Sequence, residues 1–141
     1  MRIVLDTNIL VSSVLTATGP PRDLVDAARA QLFDLCSSPV LMAELFDVLS
    51  REKFARRFAQ AGLTPMGIVK DIRRMVYMVI PIHVPRVIIG DPDDDHVLAC
   101  AVSAGANLIV SGDNHLHGVG SAYQGIPIVT PSAAIKIVAA R

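Results

Sequence analysis

Apolar residues along this chain fall into two kinds of run that alternate with one another. Short, nearly unbroken runs occur at residues 2–6, 32–37, 79–84, 108–111 and 126–129. Runs of that length read as strands buried on both faces, as in a parallel sheet. Between them lie longer segments whose apolar positions recur three and four apart. A helix is predicted from about 8 to 17, followed by the breaker Gly19-Pro20-Pro21 and a helix from about 21 to 31 with Pro and Asp in its first turn. Ser38-Pro39 opens a helix whose apolar positions Leu41, Leu45, Val48 and Leu49 share one side, and the pattern continues into a basic helix ending near Gly62. Thr64-Pro65 starts a helix through Met78, residues 94–104 form a helix closed by Gly105, and residues 131–140 form the last one. Pro81 interrupts the run at 79–84, which predicts an edge strand or one with an irregular start. Strands alternating with helices imply an α/β protein, a three-layer α/β/α Rossmann-like arrangement with a mostly parallel central sheet.

With 141 residues the chain is expected to form one domain, residues 1–141, that buries roughly two-thirds of its unfolded surface without covalent staples. Cys36 and Cys100 both lie inside apolar stretches, which fits small buried thiols in a reducing compartment and predicts a cytoplasmic location. No apolar stretch approaches the eighteen or so residues of a membrane span, and the first residues lack the order of a signal peptide. With no Trp, two Tyr and four Phe, extensive stacking of bases on aromatic platforms is not expected.

Net charge is zero, but it is segregated. Residues 1–50 carry three basic and six acidic side chains, residues 51–86 eight and two, and residues 87–141 two and five. The basic middle holds Arg51, Lys53, Arg56, Arg57, Lys70, Arg73, Arg74 and Arg86 against Glu52 and Asp71. A positive segment beside acidic ones suits a polyanionic substrate, although two solvated amphipathic helices would give the same count.

The acids sit at informative places. Asp6 ends an apolar strand, where Asp is disfavoured, so it either caps the following helix or serves a site. Glu44 lies four residues from Val40 and Val48 and three from Leu41, bordering its helix's apolar stripe rather than opposing it. Asp91, Asp93, Asp94 and Asp95 exceed what capping and the helix dipole require, and they repel one another unless solvated, paired or neutralised by a cation. Asp113 closes Val110-Ser111-Gly112-Asp113, a second strand ending on an acid. Ligands of open α/β sheets bind beyond the carboxyl ends of strands, where these acids would meet.

An all-carboxylate set selects a hard ion, Mg²⁺ or Mn²⁺. His83, His96, His115 and His117 match no zinc spacing. The chemistry that follows is metal-assisted hydrolysis of a phosphodiester.

The run from Ile3 to Ser13, with Asp6-Thr7-Asn8 at its centre, resembles the opening motif of PIN-domain ribonucleases, in particular the branch described as toxins of toxin–antitoxin systems. Glu44, the acidic helix start at 91–95 and the strand ending at Asp113 follow in the matching order. The resemblance implies a PIN fold and Mg²⁺- or Mn²⁺-dependent endonucleolytic cleavage of RNA. It also implies a homodimer and a cognate antitoxin protein. Carried over by position, Asp6 would be a metal ligand, Glu44 the second acid, Asp94 or Asp95 the third and Asp113 the fourth. Thr7, Asn8 and Ser111 would orient the acids or the substrate phosphate, with Arg56, Arg57, Arg73 and Arg74 as candidates for holding the RNA backbone. His115, preceded by Asn114, departs from the Asp found in many relatives, which points to a differently tuned fourth-acid end.

Two rivals are weakened by particular residues. A phosphatase of the haloacid-dehalogenase type needs a second Asp two residues after the first, where this chain has Asn8. A non-catalytic RNA-binding module would not need all four acidic positions.

Overall fold

A computed structural model describes residues 1–84, 92–112 and 121–141 of the chain. Arg86, Asp91, Asp113, Asn114, His115 and His117, and the side chain of Asp93, lie outside the described residues.

The described elements are β1 (Arg2–Leu5), α1 (Thr7–Leu15), α2 (Pro20–Arg29), β2 (Asp34–Ser37), α3 (Pro39–Leu49), α4 (Glu52–Gln60) and α5 (Pro65–Met75). There follow β3 (Val76–Met78), α6 (Pro92–Ala104), β4 (Leu108–Val110), β5 (Ala122–Tyr123), β6 (Ile126–Val129) and α7 (Pro131–Ala139). The strands form a six-stranded sheet in the order β3-β2-β1-β4-β6-β5. Every pairing is parallel except that of β5 with β6.

Local chemistry sets many of the element boundaries. Ser38, Thr64 and Thr130 each accept a hydrogen bond from a backbone N–H in the first turn of α3, α5 and α7, and each is followed by Pro. The side chain satisfies an orphan donor while Pro supplies the helical φ at a position that needs no N–H. Gly105, at φ 61°, ends α6 and lets the chain turn into β4.

Packing follows strand alternation. Ile3, Leu5, Leu35, Leu108 and Val110 face one core with residues of α1, α2, α3, α5 and α7. Val4, Cys36, Ile109 and Ile128 face the other, against Val97, Leu98, Cys100, Ala101 and Ala104 of α6. This is the expected α/β/α layering around a mostly parallel sheet.

Two expectations fail. The helix opened by Thr64 ends at Met75, and the strand forms at Val76–Met78 rather than at 79–84. Val76–Met78 pairs with Leu35–Ser37, and one more backbone bond, Val79 N–H to the Ser37 carbonyl, ends the ladder. Pro81 has no N–H to extend it, and Ile80 and Ile82 are left exposed. The second miss is β5, whose hairpin with β6 turns on Gln124 and Gly125, both at positive φ. That pair of angles matches the tight primed turn that joins antiparallel strands, but two residues of strand give no periodicity to read.

Candidate active site

Asp6 stands at the carboxyl end of β1, and Ser111 follows β4, the strand beside it. The chain leaves β1 to build β2 and β3 on one side and later returns to build β4 and β6 on the other. The boundary between β1 and β4 is therefore the topological switch point, where open α/β sheets leave a crevice for ligands. Across that boundary the Ser111 hydroxyl donates to Asp6 Oδ2 at 2.5 Å. The Asp6 N–H also donates to the Val110 carbonyl at 3.1 Å.

The capping role and the site role fall on the same carboxylate. Asp6 Oδ1 accepts from the Ile9 N–H at 2.9 Å as the N-cap of α1. Asp6 is 3 % exposed and Ser111 fully buried, so these donors set the carboxylate's direction in a site largely closed to bulk water. The next residue, Thr7, donates its hydroxyl to Glu44 Oε2 at 2.9 Å. That bond ties the first turn of α1 to the middle of α3. Thr7 and Glu44 are 37 residues apart, and nothing local in the sequence signals their contact.

Asp94 and Asp95 are buried in the first turns of α6. The far end of that helix is anchored to the start of β1, where the Arg2 guanidinium donates to the Ala104 carbonyl at 2.7 Å. From there Asp94 lies ten residues back along the helix, about 15 Å at the α-helical rise. Asp6 lies four residues along the strand from Arg2, about 13 Å. The two acids thus reach the same level of the sheet. They also share a side of it: Val4 and Ile109 face α6, and Asp6 and Ser111, two residues further along extended backbone, repeat that direction.

Among the described residues, no group of three or more His, Cys, Asp or Glu side chains is gathered closely enough to hold a metal ion. The donor chemistry nonetheless fits a hard divalent cation: a buried Asp6 and a half-buried Glu44 carboxylate oriented by hydroxyl and backbone N–H groups, with oxygen as the only ligand atom. Asp113, the expected fourth acid, lies outside the described residues.

The remaining candidates are dispersed. Asn8 is exposed in the first turn of α1, beside Asp6 and Thr7. Arg56 is exposed on α4, whereas Arg57 donates to the Leu15 carbonyl, at the end of α1 away from Thr7. Arg73 and Arg74 occupy the last turn of α5, which leads directly into β3. Because β3 runs parallel to β2 and β1, its start lies at the amino ends of the strands, opposite the Asp6 edge. Arg73 and Arg74 are therefore not gathered around the acids, because the direction of β3 places the end of α5 at the other edge of the sheet.

A family model described as PIN domain matches residues 2–115. No curated protein matches the chain.

Proposed function

Because this chain belongs to the PIN-domain family, whose model spans most of its length, and PIN domains are generally nucleases that use divalent metal ions, we propose that it is a Mg²⁺- or Mn²⁺-dependent endoribonuclease. The observation that carries this reading is the Ser111–Asp6 bond across the switch point, with Thr7–Glu44 beside it. Four side chains from β1, α1, α3 and the end of β4 are thereby organised around one strand edge.

Asp6 and Glu44 would hold the cation, with Asp94 or Asp95 approaching from α6 and Asp113 as the fourth acid. The chemistry supplied by a bound Mg²⁺ or Mn²⁺ is charge stabilisation at the phosphate and a lowered pKa for the attacking water. Ser111 and the Ile9 N–H keep the Asp6 carboxylate in one orientation, and Thr7 does the same for Glu44. A carboxylate has about four acceptor sites, so holding these donors and ligating a cation are compatible. Burial keeps competing water from Asp6, while exposed Asn8 stands where it can donate to a substrate phosphate.

Asp6→Asn tests this reading. Asn is as good an N-cap as Asp, so the fold should persist while metal-dependent cleavage of RNA falls by roughly a hundredfold or more. An unchanged rate with metal still required would remove Asp6 from the mechanism.

The finer role follows the Asp6-Thr7-Asn8 motif: the toxin of a cytoplasmic toxin–antitoxin pair, acting as a homodimer held in check by a protein antitoxin. Among the described residues no helix is long and apolar enough to cross a membrane. Growth arrest on expression, relieved by the product of an adjacent gene, is the outcome this role requires.

A further inference from the structure

At the amino edge of the sheet, away from Asp6, a cleft of about 500 Å³ opens between the end of α2 and the α5–β3 junction. Phe33, Met75 and Val76 are among its apolar lining residues, and Arg29, Gln31, Asp34, Arg74 and Tyr77 bring the polar groups. Arg29 is held by a two-point pair with Asp71, at 2.9 and 3.2 Å. Arg74 lies close enough to act on the same carboxylate. Tyr77 is 60 % exposed, on a strand at the edge of the sheet.

Gln31 is the informative residue. It stands just past the end of α2 at φ 62°, with its N–H bonded to the Ala28 carbonyl and the following Leu32 N–H to the Ala27 carbonyl. Helices that end this way use Gly, or sometimes Asn, at the left-handed position, because a larger side chain is strained there. Gln31 therefore places an amide side chain at the rim of a polar cleft at a cost in backbone preference.

We infer that this cleft is a secondary site for an unpaired nucleotide of the RNA substrate, with Tyr77 and Arg74 offering surfaces on which a base stacks and Gln31 and Asp34 reading its edge. The inference rests on the ribonuclease reading above. Nucleobase edges present both donors and acceptors, which a purely cationic patch could not satisfy; this cleft supplies an amide, a carboxylate and a guanidinium in a mostly polar lining. Position supports the same use. Val76 aligns through Leu35 with Ile3, so Asp6 lies three residues along the strands, about 10 Å, and two strand spacings, about another 10 Å, away. A single strand cut at Asp6 can pass a base into this cleft a few nucleotides away.

The test uses the whole chain with Mg²⁺ or Mn²⁺ and a single-stranded RNA of about twenty nucleotides. Tyr77→Ala and Gln31→Gly should each raise KM by about tenfold, the scale of one lost base contact, with kcat unchanged. Gln31→Gly should at the same time raise the melting temperature, since it relieves the left-handed strain. A fold-only role for Gln31 would give the higher melting temperature without the change in KM. If the wild-type chain cuts RNA and both variants keep its KM, the cleft is not a nucleotide site and the ribonuclease reading stands. If the wild-type chain neither binds nor cuts RNA, both fall together.

Discussion

Ser111 and Asp6 are 105 residues apart and meet through a hydroxyl-to-carboxylate bond between adjacent strand ends. Neither residue reaches the other through its own element. The bond exists because β4 inserts beside β1 after the chain has already built the other half of the sheet. It makes Ser111 a positioning residue for the acid on which the proposed chemistry depends.

Ser111→Ala should therefore leave Asp6 in place, still accepting from the Ile9 N–H, but remove the hydroxyl that orients its Oδ2. Loss of a hydrogen bond to a metal-ligating carboxylate typically costs about 10–100-fold in metal affinity or activity. The expected signature is a higher Mg²⁺ or Mn²⁺ concentration for half-maximal activity, approaching the wild-type rate at saturation. Thr7→Val, which removes the donor to Glu44 while keeping the shape, should act in the same direction. A metal titration that superimposes on the wild type would show that these hydroxyls serve only the fold.

Reversing Arg56, Arg73 and Arg74 to Glu should weaken RNA binding and flatten its dependence on salt, since fewer counterions are released. Arg57 should contribute less to this than Arg56, because its guanidinium is engaged with the Leu15 carbonyl. Arg57→Ala is expected to lower thermal stability more than RNA affinity. Affinity measured at several salt concentrations separates the two effects, and a slope that does not move would leave the basic residues as a solvated face.

The Arg29–Asp71 pair gives a pH dependence of known sign. Hydrogen bonding to Arg29 lowers the Asp71 pKa below its usual 3.8, and the same bond raises that of Arg29 above its ordinary value. A depressed carboxyl contributes stability that is present above 3.8 and lost as pH falls through the folded value. The Arg29 contribution is present at every pH below the ordinary guanidinium range, so only the acid limb is accessible. Both side chains are about half exposed, so solvent screening limits the pair to under about 1 kcal/mol. Asp71→Asn should lower the melting temperature slightly at neutral pH, with the difference vanishing at strongly acid pH and at 1 M salt. A difference that persists in acid would show that the pair is not its source.

Both thiols should be inert in the folded protein. Desolvation pushes Cys100 up to about 12, and desolvation likewise raises Cys36. Both are buried among apolar side chains. Alkylation at pH 8 is expected to label neither residue until the chain unfolds, then both at similar rates. Rapid labelling of either in native buffer would show that its thiol is not buried.

Much of the fold was legible from local pattern because local physics governs it. The Ser-Pro and Thr-Pro helix starts, Gly105 and the runs at 2–6, 108–111 and 126–129 all carry their signal within a few residues, and the structure places elements there. The errors fall where distant partners decide. Val76–Met78 is an extension of a helical pattern until β2 offers it hydrogen bonds, and β5 exists only as the partner of β6.

The acids divide in the same way. That Asp6 ends a strand, Glu44 borders an apolar stripe and Asp94 and Asp95 open a helix follows from sequence spacing alone. That Asp6 is gripped by Ser111, that Thr7 reaches Glu44, and that Arg73 and Arg74 open onto the opposite edge follows only from strand order. Sequence by itself determined which residues could carry charge at element ends, because capping, periodicity and backbone preference act over a few residues. Tertiary structure alone decided which ends meet, because the order and direction of strands are set by packing both faces of one sheet at once.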